Sequence, residues 1–183
     1  MSRVATVFGI ALILAGASSA GADDMERIMQ LWCTQAGVWT GDIDVTAADG
    51  KALRLTLESE HSCTENAAHH VVRERFGSGA STLKVTFIDR AVQQFHTAYF
   101  TRGKEAPYLF SAVSVEGTDN THWKTIIASV PGSEMYEGRP AILRYIRVRN
   151  GDVIESWKDV QLSDGTTDFS PRSKIVQHLA AHR

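Results

Sequence analysis

Charged and aromatic side chains that could bind a small molecule occur together on two strand-like segments in the last quarter of the sequence. Asn150-Gly151, between these segments, is typical of a two-residue type I′ hairpin turn. Such a turn places Arg149 opposite Asp152, and it brings Arg144 beside Trp157 on the more apolar face of the hairpin. This face is predicted to point into the core.

An arginine on an inward face needs a partner, because burying an unpaired charge is costly. One interpretation is a site for a ligand carboxylate, since guanidinium offers a planar fork to carboxylates and stacks on indole rings. The other is an internal ion pair, because Glu155 and Asp159 are diagonal neighbours of Arg144 on the same face. Arg144, Glu155 and Trp157 are therefore candidate ligand-binding residues, and both interpretations remain open.

Alternating apolar and polar residues indicate which strand faces are buried. In two segments the apolar residues share one face, which is predicted to be the dry one: Leu53, Leu55 and Leu57 in the first, and Leu83, Val85 and Phe87 in the second. His61 continues the phase of the first segment and is predicted to point inward. The segment over 94–101 has no plainly polar face, as expected of a cavity wall. His61 and Tyr99 are therefore two further ligand-binding candidates.

Motifs for catalysis and metal binding are absent from the sequence. None of the seven histidines has a standard metal-site spacing, and neither H-E-x-x-H nor C-x-x-C-H occurs. A G-x-S-x-G elbow, a P-loop and G-x-G-x-x-G are also missing. We therefore predict no metal site, no cofactor and no catalytic residue. An enzyme using the Arg144, Glu155 and Trp157 cluster, or His61, remains an alternative hypothesis.

The composition is that of a globular domain with a near-neutral charge. The chain has 183 residues, a formal net charge of -2 and 43% hydrophobic residues. Because no basic excess is present to neutralise phosphates, nucleic acid is not a predicted partner. No Pro-, Ser- or charge-rich linker divides the sequence, so a single domain is expected.

The first residues have the pattern of a secretory signal peptide. Arg3 precedes an apolar run over 4–15, and small residues then lead to Ala22, just before Asp23. The run is about 12 residues long, short of the roughly 20 that a membrane-spanning helix needs. We expect a signal peptide over 1–22, a mature domain over 23–183, a periplasmic or secreted location, and no stable membrane insertion after cleavage.

Export determines how the two cysteines are interpreted. Thiols pair in oxidising compartments and stay reduced in the cytosol, and Cys33 and Cys63 have only each other as partners. A bond between them would close a loop of roughly 30 residues and stabilise the fold by about 3 to 4 kcal/mol. The alternative, two buried free thiols, remains open.

Hydrophobic periodicity predicts one helix followed by strands. Met25, Ile28, Met29 and Trp32 recur at helical spacing between Asp23 and Ala36. After Gly37 the period becomes two, and turn residues separate ten strand-like segments, at about 38–46, 53–62, 70–76, 82–88, 94–101, 108–116, 122–130, 141–149, 152–162 and 173–178. The predicted fold is all-β, a meandering antiparallel barrel of about ten strands with one N-terminal helix.

The sequence resembles the calycins, the superfamily of lipocalin-like barrels. Gly37-Val38-Trp39, after the helix, is similar to the lipocalin G-x-W signature, and Thr118-Asp119-Asn120 is similar to the family's threonine-aspartate-tyrosine turn without the tyrosine. The four strands that follow this turn are nearer to the ten-stranded fatty-acid-binding and nitrobindin-like barrels. The resemblance implies that Trp39 packs beneath a late arginine, either Arg172 or Arg144.

The resemblance also implies that a small hydrophobic or amphipathic molecule binds inside the barrel without being transformed. It further suggests haem ligation by His61, although His61 comes too early in the chain to match the nitrobindin-like histidine. A third hypothesis is a structural or interaction module whose barrel is filled by its own side chains. The sequence leaves the oligomeric state open.

Overall fold

The computed structural model describes residues 20–46, 51–101, 104–136, 138–164 and 168–180. Within these ranges it contains one helix, a short 3₁₀ turn at Glu65–Ala67 and eleven strands. The helix, α1, is Ala20–Cys33, and the strands β1 to β11 are Gly37–Thr46, Ala52–Cys63, His69–Phe76, Ser81–Asp89, Gln94–Thr101, Lys104–Asp119, His122–Ser129, Glu134–Tyr136, Arg139–Asn150, Val153–Leu162 and Ser170–Leu179. The predicted signal peptide lies outside the described residues, apart from its last three, which begin α1.

Ten of the strands form a closed antiparallel barrel. Each barrel strand pairs with the next along the chain, and β1 pairs with β11 to close the cylinder. The exception is β8, which has three residues and pairs only with the beginning of β9, while β7 pairs with the rest of the same edge. This architecture confirms the predicted fold class. The alternation pattern missed β8 because three residues are too few to establish a period.

The helix lies across one end of the barrel and contributes to its core. Met25, Ile28, Met29 and Trp32 are buried, as their spacing predicts, and they pack in one cluster with barrel residues such as Phe95. The Trp32 indole donates a hydrogen bond to Thr125 Oγ1 at 3.1 Å. The described part of the chain has no helix long and apolar enough to cross a membrane.

A disulfide joins the end of α1 to the end of β2. Cys33 and Cys63 are bonded, with their Cα atoms 5.6 Å apart, which confirms the predicted pairing over the alternative of two free thiols. Because Trp32 is the neighbour of Cys33, the bond anchors the helix next to the side chain that it inserts into the barrel.

The face predicted to be dry is correct for β2 and wrong for β4. Leu57 and His61 are buried, whereas Leu53 is 52% exposed near the start of β2. In β4 the buried residue is Thr86, and Lys84 shares its face. Leu83, Val85 and Phe87 therefore lie on the outer face, because the barrel interior holds polar side chains that hydrogen-bond to one another.

The β9–β10 hairpin has a different turn from the predicted one. Asn150 pairs with Val153, so Gly151-Asp152 forms the two-residue loop, and Gly151 has the positive φ of 62° that favours glycine. The pairing is displaced by two residues from the predicted Arg149 to Asp152 register, and Arg144 pairs with Asp159 instead of Trp157. A displacement by two leaves the residues that share a face unchanged.

The prediction that Arg144 points inward is wrong, because the other face of the hairpin lines the interior. Tyr145, Arg147 and Lys158 line the cavity. The inward face carries several charged residues, and Lys158 Nζ lies near the Tyr145 ring. Counting aliphatic residues therefore pointed to the wrong face.

Candidate functional site

A cavity of about 100 Å³ lies inside the barrel. Apolar parts of its wall come from Trp32, Phe110, Ile127 and Ile175. The polar side chains that line it are His61, His70, Glu74, Lys84, Thr86, Thr97, Tyr99, Thr125, Tyr145, Arg147, Ser156, Lys158, Ser173 and Gln177. A space with both kinds of wall suits a molecule that has a polar end and an apolar part.

Three cations line the cavity. Lys84 forms an ion pair with Glu74, whose side chain is only 7% exposed, and its Nζ lies 5.1 Å from the centre of the Tyr99 ring. Burial disfavours the charged form of Lys84, but attraction to Glu74 and Tyr99 outweighs it, so the pKa of Lys84 is raised. Lys84 therefore stays protonated inside the barrel.

Arg147 and Lys158 are the other two cations. The Arg147 guanidinium donates to Gln35 Oε1 at 3.3 Å and lies 5.1 Å from the centre of the Trp32 ring. Lys158 Nζ lies 5.6 Å from the centre of the Tyr145 ring. Burial lowers the pKa of both groups, and repulsion from Lys84 lowers that of Lys158 further. Guanidinium nevertheless remains charged in proteins.

Tyrosines supply neutral hydrogen-bond donors beside these cations. Tyr99 and Tyr108 meet edge to face with ring centres 5.1 Å apart. Burial, together with the neighbouring Tyr99 and Tyr108, raises the pKa of Tyr145 well above its ordinary value. The Tyr145 hydroxyl therefore remains protonated at neutral pH and can donate a hydrogen bond.

His61 belongs to a buried hydrogen-bond chain on one side of the cavity. Gln177 Nε2 donates to Ser59 Oγ at 2.7 Å, Ser59 Oγ lies 3.0 Å from His61 Nε2, and His61 Nδ1 lies 3.2 Å from His70 Nε2. One arrangement with both imidazoles neutral has the serine hydroxyl donate to His61 Nε2 and His61 Nδ1 donate to His70 Nε2. The hydrogen-bond chain is thus compatible with two neutral imidazoles.

Burial keeps these histidines uncharged. It is the main cause that lowers the pKa of His70 to about 3 and the pKa of His61 well below its ordinary value, and repulsion from Arg147 adds to both shifts. Because Ser59 and His70 occupy the two ring nitrogens of His61, neither nitrogen is free to ligate a haem iron. The residues around His61 therefore do not fit the haem site that the nitrobindin-like resemblance suggested.

His61, Tyr99 and Trp157 line the cavity, as predicted, and Arg144 and Glu155 do not. Arg144 forms an ion pair with Asp159 at 2.6 Å, and its guanidinium carbon lies 3.9 Å from the centre of the Phe169 ring. Its charge is thus neutralised within the chain. This agrees with the second interpretation of Arg144, an ion pair, but the partner is Asp159 and not Glu155.

The predicted cluster of Arg144, Glu155 and Trp157 does not assemble. Glu155 forms a 2.9 Å ion pair with Lys174, and Lys174 Nζ lies 5.3 Å from the centre of the Trp157 ring. Glu155 and Trp157 therefore share Lys174, whereas Arg144 pairs with Asp159, and the enzyme hypothesis based on the proximity of all three loses its geometric basis.

Trp39 is fully buried and packs beneath an arginine, but neither predicted arginine is the one. Arg149 has its guanidinium carbon 5.4 Å from the centre of the Trp39 ring. Arg144 lies on Phe169, as described above, and Arg172 lies 3.8 Å from the centre of the Tyr136 ring. The arginine that lies over Trp39 is therefore Arg149, which was not one of the two candidates.

Arg149 joins the helix and two turns at the closed end of the barrel. It donates to the carbonyl oxygens of Thr34 at 2.6 Å, Gly151 at 3.0 Å and Asn120 at 3.3 Å. The Asn120 carbonyl also accepts a hydrogen bond from Trp123 Nε1. The Thr118-Asp119-Asn120 turn, which resembles the lipocalin motif, thus takes part in the hydrogen bonds that hold this end of the barrel together.

Sequence reasoning missed Lys84, Arg147, Lys158, Glu74 and His70 as cavity residues. Lys84 alternates with Leu83 and Val85, and Arg147 and Lys158 lie on the less apolar face of the hairpin, so these three were expected to face solvent. The available signal was the position of Arg147 on the same strand face as Tyr145, since cations often stack on rings. The alternation itself does not say which face is inside.

The closed antiparallel barrel, the helix across one end and the internal cavity fit a calycin-like barrel in general. The solved structure of Rv2717c from M. tuberculosis is similar to it, with a TM-score of 0.57 and 9% sequence identity over 84% of this chain and 97% of that chain. At this identity the similarity shows a shared fold. The chain matches no protein-family model and no curated protein.

Proposed function

We propose that this protein is an exported binding protein that holds a small amphipathic molecule inside its barrel without transforming it. The observation that carries the proposal is the cavity of about 100 Å³ with both apolar and polar walls. For comparison, an apolar cavity of about 150 Å³ accommodates benzene. The cavity therefore suits a ligand of only a few heavy atoms.

The location supports the same proposal. The disulfide between Cys33 and Cys63 is compatible with an oxidising compartment, and the sequence of residues 1–22 has the pattern of a signal peptide. An exported carrier or sensor meets small molecules before they enter the cell, so a preformed internal site fits this location.

Native mass spectrometry of the protein purified from its own host tests the proposal. We expect a retained mass that disappears on denaturation and is absent from the variant Ser156→Leu, since the larger side chain occupies the cavity. The control Ser62→Leu, at an exposed position on the outside of β2, keeps the mass. If the wild type retains no extra mass and binds nothing in a screen of small amphipathic molecules, the binding proposal is wrong and the structural or interaction module is favoured.

A further inference from the structure

We infer that the ligand is a small monoanion of the carboxylate class, held by the cavity cations Lys84, Arg147 and Lys158. This inference rests on the proposed function and specifies its ligand. It starts from the charges that the fold encloses. Among the described cavity-lining residues there are three cations and one carboxylate, that of Glu74.

The carboxylates nearby do not neutralise all three cations. Glu74 pairs with Lys84. Arg147 and Lys158 have no carboxylate within ion-pair distance in the described part of the chain, and Glu134 on β8 attracts Lys158 only at longer range. Counting Glu134 as a partner still leaves one positive charge in excess.

An enclosed positive charge without a partner is costly, because the barrel interior solvates it less well than water does. A ligand with one negative charge offsets this cost. The Arg147 guanidinium offers a planar fork that matches a carboxylate, with one branch used by Gln35. The ring of Tyr145 lies near Lys158, and the Tyr145 hydroxyl shares a hydrogen bond with Tyr99.

The size and walls of the cavity limit the rest of the ligand. Its volume of about 100 Å³ leaves room for a short aliphatic part. Phe110, Ile127 and Ile175 line that space. A phosphate monoester carries close to two negative charges at neutral pH, which exceeds the one charge in excess, so a short-chain monocarboxylate is the better match.

Isothermal titration calorimetry with butyrate and butyramide tests the inference on the mature wild-type protein. The two probes have the same number of heavy atoms and the same planar end, and they differ in charge. We expect butyrate to bind at least about tenfold more tightly than butyramide, because hydrogen bonds to charged groups are the stronger ones. The preference should shrink at high salt, although less than for a surface site.

Matched variants locate the binding. Lys158→Met is expected to weaken butyrate binding about tenfold and to leave butyramide binding unchanged. The control Lys124→Met removes a partly exposed lysine that pairs with Glu116 at 3.7 Å and should bind both probes as the wild type does. Arg147→Lys keeps the charge without the fork and should also weaken butyrate selectively. Amide NMR spectra establish that each variant is folded.

The outcomes separate this inference from the proposed function. Equal affinity for butyrate and butyramide, or butyrate binding unaffected in a folded Lys158→Met, overturns the anionic class and leaves the carrier proposal standing. A wild type that binds neither probe overturns the inference, and the carrier proposal is then decided independently by the mass retained from the host. Selective loss of butyrate binding in both variants supports the inference.

Discussion

Within the described ranges, four arginines lie against aromatic rings, both inside the barrel and on its outside. A guanidinium stacks on a ring and is weakly hydrated, so this contact lets an arginine leave bulk water at a lower cost than a lysine. The pairs are Arg144 with Phe169, Arg147 with Trp32, Arg149 with Trp39, and Arg172 with Tyr136. An arginine-bearing face can therefore point inward, as β9 demonstrates.

At the same scale, the buried histidines make stability depend on pH. The pKa of His70 falls from 6.5 to about 3 on folding, and that of His61 is also lowered. Above pH 6.5 both states are neutral and the full stability is present. As the pH falls below 6.5, the unfolded histidines bind protons that the folded ones do not, so the free energy of unfolding decreases.

We expect this effect to cost about 2 kcal/mol at pH 5 for His70, since one pKa unit corresponds to about 1.4 kcal/mol, and we expect His61 to act in the same direction. Urea unfolding at pH 7.5 and pH 5 measures it. The double variant His61→Gln/His70→Gln should lose much less stability between these pH values than the wild type. The control His122→Gln, at a ring that is 55% exposed, should behave as the wild type. Equal pH dependence in all three proteins would contradict the neutral histidine chain.

At the scale of elements, helix α1 is held against the barrel by packing and by one covalent bond. Met25, Ile28 and Met29 are almost fully buried, and Cys33 is bonded to Cys63 at the end of β2. The bond remains in the unfolded chain and keeps the end of α1 linked to the end of β2. It therefore limits the conformational entropy of the unfolded chain.

Cys33→Ser/Cys63→Ser is expected to lower the free energy of unfolding by about 3 to 4 kcal/mol, because the bond closes a loop of roughly 30 residues. Urea unfolding with and without reductant measures this effect. Reductant should destabilise the wild type to the level of the double variant and leave the variant unchanged. A wild type that is insensitive to reductant, with two reactive thiols when unfolded, would show that the bond does not form.

The elements also show how far sequence patterns reach. The helix and the ten barrel strands follow from periodicity and turn residues, because these signals are local. The three-residue strand β8 and the two-residue displacement of the β9–β10 register do not, since Asn150-Gly151 and Gly151-Asp152 are both acceptable hairpin loops. Pairing along the whole of β9 selects the second turn.

At the scale of the whole molecule, the proposed export connects the disulfide to the proposed carrier role. We expect the exported protein to begin near Asp23, because small residues end the signal-peptide pattern at Ala22. Intact mass measurement on periplasmic or culture-medium protein checks this start. Protein found only inside the cell with residues 1–22 retained would contradict the prediction.

The sequence by itself determined the all-β class, the leading helix, the candidate disulfide partners and the inward position of His61, because each depends on local pattern or on elimination among few residues. Tertiary structure alone decided which face of β4 and β9 is inside, which arginine covers Trp39 and which cations share the cavity. Alternation defines the two faces of a strand but does not show which of them is buried. In this barrel, polar side chains satisfy one another across the interior, so hydrophobicity does not identify the buried face.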